Sequence, residues 1–210
     1  MENEFEQDNE IKIVLLGATG SGKSRTGNCI LGSNVFDYGD STTSCRQHEI
    51  IRYGRKITVV DTPGVSGRKD QSFTFLKQIR RSPHVFLLCI AMQRQLLKLE
   101  KILKTYEKHF GKKIYEFLII VFTHFDQWEV DQHDKDNNST FETYLSRLPN
   151  TEKQLLKQCN NRCIALNNRK TGDESELQAN EIFTKMAVLS RKVTTTEKRN
   201  DQIQCCCNIF

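Results

Sequence analysis

The residues best suited to chemistry gather in one short segment: Gly17, Ala18, Thr19, Gly20, Ser21, Gly22, Lys23 and Ser24. They satisfy G-x-x-x-x-G-K-[ST], with an apolar run before them and helix-compatible residues after. Glycines at this spacing let a loop wrap with its amides turned inward. Those amides and the start of the next helix form a cradle for phosphates. In such a cradle the lysine reaches the outer phosphates and the serine hydroxyl meets Mg²⁺. Lys23 is expected to be exposed there, so that its removal costs little packing.

A phosphate cradle does not name the base. Asp61-Thr62-Pro63-Gly64 is a D-x-x-G at the end of an apolar stretch. In GTP-binding proteins this Asp contacts Mg²⁺, usually through water, and the Gly amide senses the γ-phosphate. Further on, Thr123-His124-Phe125-Asp126 stands where such proteins carry [NT]-K-x-D. Asp126 can accept from guanine N1 and N2, and adenine has no matching pair of donors. His124 replaces the lysine, so an imidazole would stack on the base. Asn167 and Asn168 follow another short apolar stretch. A side-chain amide there can meet guanine O6 or N7.

These groups need elements to hold them. Residues 11–16, 56–60, 85–91, 115–122 and 162–166 read as strands, most of them with no polar alternation. Residues 45–53 pair with 56–60 as a hairpin around Gly54. Helices are expected at 23–31, 71–81, 96–110, 141–148, 151–159 and 175–191, and loops at 35–44 and 127–139. Strands alternating with helices imply an α/β fold: a mostly parallel central sheet with helices on both faces. Its ligands sit beyond the carboxyl ends of the strands, which is where four of the motifs fall.

Composition sets outer limits. A chain of 210 residues suits one domain with a sizeable core, and 37% hydrophobic with 27% charged residues is ordinary for a soluble globular protein. A net charge of +5 without a dense basic block argues against a nucleic-acid partner. Residues 1–10 are acidic and polar, unlike a signal peptide, and no apolar run is long enough to span a bilayer. The expected location is therefore cytoplasmic. Five of the eight cysteines are scattered, as expected of buried thiols, and Cys159-x-x-x-Cys163 has no partner pair for zinc. The other three are Cys205, Cys206 and Cys207. Cys207 stands at the C-a-a-X position, with Phe210 favouring geranylgeranylation, and its two neighbours can take palmitate. Such lipids would place the protein on the cytosolic face of a membrane.

The chain resembles the GIMAP, or immune-associated nucleotide-binding, GTPases, septin-like relatives of the chloroplast Toc import receptors. The segments that carry the resemblance are GATGSGKSRTGNCILG, VVDTPGV, SPHVFLLCI, FLIIVFTHFD and RCIALNNR. The continuation from Arg25 through Gly32, Arg-x-Gly-Asn-x-Ile-Leu-Gly, is typical of that family and not of P-loop ATPases. The resemblance implies a P-loop GTPase G domain over residues 11–191, between an acidic disordered segment at 1–10 and a flexible tail at 192–210. It implies GTP, GDP and Mg²⁺ as ligands, and homo- or hetero-dimers across the nucleotide face. It adds Arg25 to the binding residues. Thr42-Thr-Ser-Cys45 matches the family's switch I motif and makes Thr42 a third group for Mg²⁺ beside Ser24 and Asp61. Two segments depart from the family pattern. Thr123-His124 is closer to the Toc receptors, and Met92-Gln-Arg-Gln-Leu96 replaces a Gly-Arg-Tyr/Phe-Thr.

The catalytic group is not identified. Ras-like enzymes orient the attacking water with a Gln after D-x-x-G, but Val65 stands here and cannot. Slow hydrolysis helped by a partner subunit is one reading, with Arg46, His48 and Arg68 as candidate donors. A GTP-binding scaffold without useful hydrolysis is the other.

Overall fold

Strands with no polar alternation form where both faces of a sheet are covered. The computed structural model describes residues 10–38, 42–65, 85–92, 99–133 and 140–197. Its strands are β1 (Glu10–Gly17), β2 (Arg46–Arg52), β3 (Arg55–Asp61), β4 (Val85–Ala91), β5 (Leu118–Thr123) and β6 (Cys163–Ala165). They form one sheet in the order β2-β3-β1-β4-β5-β6, with every pairing parallel except β2 with β3. Beside the strands lie α1 (Lys23–Leu31), α2 (Leu99–Phe110), α3 (Phe125–His133), α4 (Phe141–Arg147), α5 (Asn150–Gln158) and α6 (Gly172–Glu197).

Successive residues of the central strands are divided between two cores. Val14, Leu16, Phe86, Leu88, Ile120 and Phe122 face α2, α3 and α5 through Ile102, Tyr106, Trp128 and Leu155. Ile13, Leu15, Leu87, Ile119, Val121 and Ile164 face α1 and α6 through Ile30, Leu31, Ile182 and Met186. The expected two-faced α/β sheet is thus present. The hairpin turns at Tyr53 and Gly54, both at positive φ (53° and 69°), as a two-residue turn of matching twist requires.

Two expectations fail locally. Residues 127–133 are helical, not a loop. Their polar side chains hid the helix, which is anchored by the buried Trp128 edge-on to Tyr144 at 5.7 Å and by Phe125 edge-on to Phe141 at 6.2 Å. Residues 115–117 are not strand, because a 3₁₀ turn at Lys112–Glu116 delays the start of β5. The helix expected at 71–81, Arg68, residues 93–98 and both chain ends lie outside the described residues. Among those described, no helix is long and apolar enough to cross a membrane.

Candidate functional site

Five parallel strands point their carboxyl ends to one rim. β1 ends at Gly17, β3 at Asp61, β5 at Thr123, and β6 leads to Asn167 and Asn168. The loop after β1 turns back through a Ser21 amide to Ala18 carbonyl bond of 3.2 Å, and Gly20 and Gly22 take positive φ of 74° and 82°. A β-carbon at Gly22 would meet Asn168 Nδ2 at 2.7 Å, and one at Gly64 would meet the Thr19 backbone at 2.5 Å. The loop is therefore pinned between two of the other motifs. No side chain caps the start of α1, which leaves its first amides available.

The chemistry follows from what each side chain touches. Lys23 was expected to be exposed, but only 5% of it is. Its ammonium donates to the Ala18 carbonyl at 2.8 Å and the Gly17 carbonyl at 3.4 Å, folded back along its own loop. Burial holds its pKa below the usual lysine value. Asp61 is fully buried, and three groups converge on its Oδ2. Ser24 Oγ donates at 2.7 Å, Thr42 Oγ1 at 3.4 Å and Arg46 Nη2 at 3.2 Å. Its Oδ1 is buried without a partner. Hard oxygens in this arrangement suit Mg²⁺, so the donor set fits the ion.

At the other end of the rim, the Thr123 hydroxyl donates to the Ser21 carbonyl at 2.9 Å and ties β5 to the loop. His124 takes a left-handed backbone (φ 60°), and its Nε2 is buried without a partner. Asp126 lies in the first turn of α3 and pairs with Arg169 at 3.1 Å. Asn168 donates to the Gly22 carbonyl at 3.3 Å and keeps an unpartnered buried Oδ1. Asn167 Oδ1 accepts from the Arg169 amide at 2.9 Å, and its backbone is gripped by the Gln178 side chain at 2.6 and 3.1 Å. Of the two asparagines, Asn168 faces the cradle. Ser21 Oγ is also buried without a partner. Unpartnered buried polar atoms thus crowd this rim, as they do where a ligand completes the bonding.

The segment from Thr26 to Gly32 shapes the loop after α1. A β-carbon at Gly27 would sit 2.8 Å from the Phe36 ring. Asn28 accepts from the amides of Val35 and Phe36 and donates to the Phe36 carbonyl, which fixes the loop after α1. Gly32 closes the helix at φ 66°. Arg25 lies over the Tyr38 ring at 4.2 Å.

Three contacts have no local signature in the sequence. The Gly17 amide donates to the buried Tyr106 hydroxyl at 3.1 Å, across 89 residues. Arg46 and Arg169 engage the two key carboxylates, Asp61 and Asp126. Arg46, a candidate donor to a partner on sequence grounds, is thus engaged within its own chain, and His48 lies edge-on to Phe36 at 5.0 Å. The described cysteines are not poised as nucleophiles, since burial pushes Cys45 up to about 11 and Cys89 and Cys159 up to about 12. A separate groove of about 520 Å³, lined in part by Leu145, Lys153 and Cys163, contains none of the motif residues.

Comparison with known proteins adds family to geometry. Human GTPase IMAP family member 8 is 32% identical over 181 residues, covering 84% of this chain and 26% of that protein. Immune-associated nucleotide-binding protein 9 of Arabidopsis thaliana is 34% identical over 172 residues, 76% of this chain and 48% of that protein. The chain thus spans about a quarter to a half of the length of these relatives. Toc33 from Arabidopsis thaliana, solved in complex with Mg²⁺ and GMPPNP, shares the fold at TM-score 0.65 and 19% identity, over 87% of this chain and 85% of that one. A further Toc structure (TM-score 0.66, 19% identity, covering 86% of this chain and 83% of that one) is described as showing that dimerization is important for the GTPase activity of atToc33 and psToc159. The AIG1 family matches residues 11–205, and the chain belongs to that family.

Proposed function

We propose that the chain binds GTP and GDP with Mg²⁺, hydrolyses GTP slowly with the help of a second subunit, and acts as a membrane-associated switch or scaffold. The observation that carries the reading is the Thr123 to Ser21 bond, which locks the base-reading end of the rim to the phosphate loop. Asp126 accepts from guanine N1 and N2, Asn168 reads the other edge, and His124 packs on the base. Lys23 swings from its carbonyls to the outer phosphates. Ser24, Thr42 and Asp61 would hold Mg²⁺, which would supply positive charge to the phosphates.

The slow rate rests on Val65. Its side chain is 1% exposed and its amide is bonded to the Gly17 carbonyl at 3.1 Å. It is part of the apolar core and cannot orient a water. The same observation favours the second reading, a GTP-binding scaffold without useful hydrolysis. Single-turnover hydrolysis at rising protein concentration separates them. Turnover per molecule that climbs with concentration supports the paired enzyme, absence of turnover throughout selects the scaffold, and fast turnover unchanged on dilution overturns both. The membrane part of the proposal rests on Cys205, Cys206 and Cys207.

A further inference from the structure

Arg46 is the first residue of β2 and the direct cross-strand partner of Asp61 on β3. The Tyr53-Gly54 turn sets that register, so the hairpin itself delivers the guanidinium to the carboxylate. Arg46 Nη2 sits 3.2 Å from Asp61 Oδ2 and 3.5 Å from Thr42 Oγ1, two of the three groups assigned above to Mg²⁺. The third, Ser24 Oγ, donates to the same Oδ2. The same Nη2 also donates to the Asp37 carbonyl at 2.9 Å, and Nη1 pairs with the Asp37 carboxylate at 3.6 Å. One guanidinium therefore bridges Asp37 to Asp61. Its own Nε is buried without a partner.

We propose that Arg46 is a built-in counter-cation that competes with Mg²⁺ for Asp61 and so sets how much Mg²⁺ the nucleotide complex requires. The inference rests on the reading that Asp61 serves Mg²⁺. Arg46, whose side chain is 31% exposed, and Mg²⁺ would draw on the same Oδ2 and the same Thr42 hydroxyl oxygen, directly or through a metal-bound water, so each weakens the hold of the other. Entry of Mg²⁺ therefore loosens Arg46 from Asp61, and with it the bridge from Asp61 to Asp37.

The test follows release of a fluorescent GDP from the loaded full chain at graded free Mg²⁺. Arg46→Gln should move the midpoint of the Mg²⁺ dependence to lower concentration by about tenfold, within the usual range of such couplings. Arg46→Lys, which keeps a cation, should stay nearer the wild type. If Arg46→Gln does not fold by circular dichroism, Arg46→Met carries the same test. It keeps an aliphatic stem near Phe36, whose ring now lies 5.7 Å from the guanidinium carbon. An unchanged or raised midpoint overturns the proposal. So does nucleotide binding weakened equally at every Mg²⁺ concentration, which would make Arg46 a phosphate ligand. If wild-type release shows no Mg²⁺ dependence at all, the metal reading of Asp61 fails and the inference falls with it.

Discussion

Tyr106→Phe removes the one oxygen that the Gly17 amide bonds. The hydroxyl accepts from the Gly17 amide at 3.1 Å, and the ring is 1% exposed. Phenylalanine fills the same volume, so the cavity term is close to nil and the cost is that of an unpaired buried N–H. That cost is about 1–3 kcal/mol. A hollow of about 90 Å³ lined by Gly17, Leu88, Leu99 and Ile102 lies alongside and can admit water, which favours the lower half of the range. For a chain of this size, about 2–4 °C of melting temperature is lost per kcal/mol. Thermal unfolding by circular dichroism should therefore fall by about 2–8 °C. Tyr115→Phe is the control, because its hydroxyl donates to Glu107 at 3.1 Å in a half-buried place that solvent reaches. Its loss should be the smaller of the two. Equal melting temperatures for Tyr106→Phe and the wild type, or a larger effect at Tyr115, would refute the idea that α2 braces the phosphate loop.

Further tests bear on the same rim. Gly64→Ala places a methyl 2.5 Å from the Thr19 backbone and should cost about 1–3 kcal/mol in urea unfolding and weaken nucleotide binding; an unchanged midpoint would contradict the contact. Lys23→Met tests the burial of the lysine. The folded-state pKa is lowered, so the folded chain gives up the proton before the unfolded chain does. Without nucleotide, wild-type stability relative to Lys23→Met should be lowest below that lowered pKa and rise with pH up to the unfolded value; a difference flat with pH would contradict it. Cys207→Ser should move the protein from the membrane to the soluble fraction of cells, and identical fractionation of the two forms would end the lipid proposal.

The sheet was legible because β1, β4 and β5 are short apolar runs without alternation, a pattern that a strand covered on both faces produces. The Gly-Lys-Ser loop and Asp61 were legible because their chemistry is local in the chain. α3 was not, since polar side chains cover it and only two aromatic residues, Phe125 and Trp128, pack it on α4. Burial of Lys23 was missed because it depends on the loop's own carbonyls, which no residue type reveals. Tyr106 looks like any core position of an amphipathic helix, and only the fold brings its hydroxyl to Gly17. Arg169 and Arg46 were invisible as partners of Asp126 and Asp61 for the same reason. Pairing across a sheet or between loops is set by topology.

The central claim, that Asp126 reads guanine at the end of this cradle, is tested most directly by nucleotide competition. A labelled GDP bound to the wild type should be displaced by GTP and not by ATP. Asp126→Asn replaces one carboxylate acceptor with an amide donor that suits the C2 carbonyl of xanthine, so XTP should overtake GTP in that variant. The expected exchange is a loss of guanine affinity of more than about tenfold, the least that removal of a charged acceptor from two donors should cost. Displacement of labelled GDP by ATP at concentrations close to those of GTP, or an unchanged order of nucleotides in Asp126→Asn, would contradict the account.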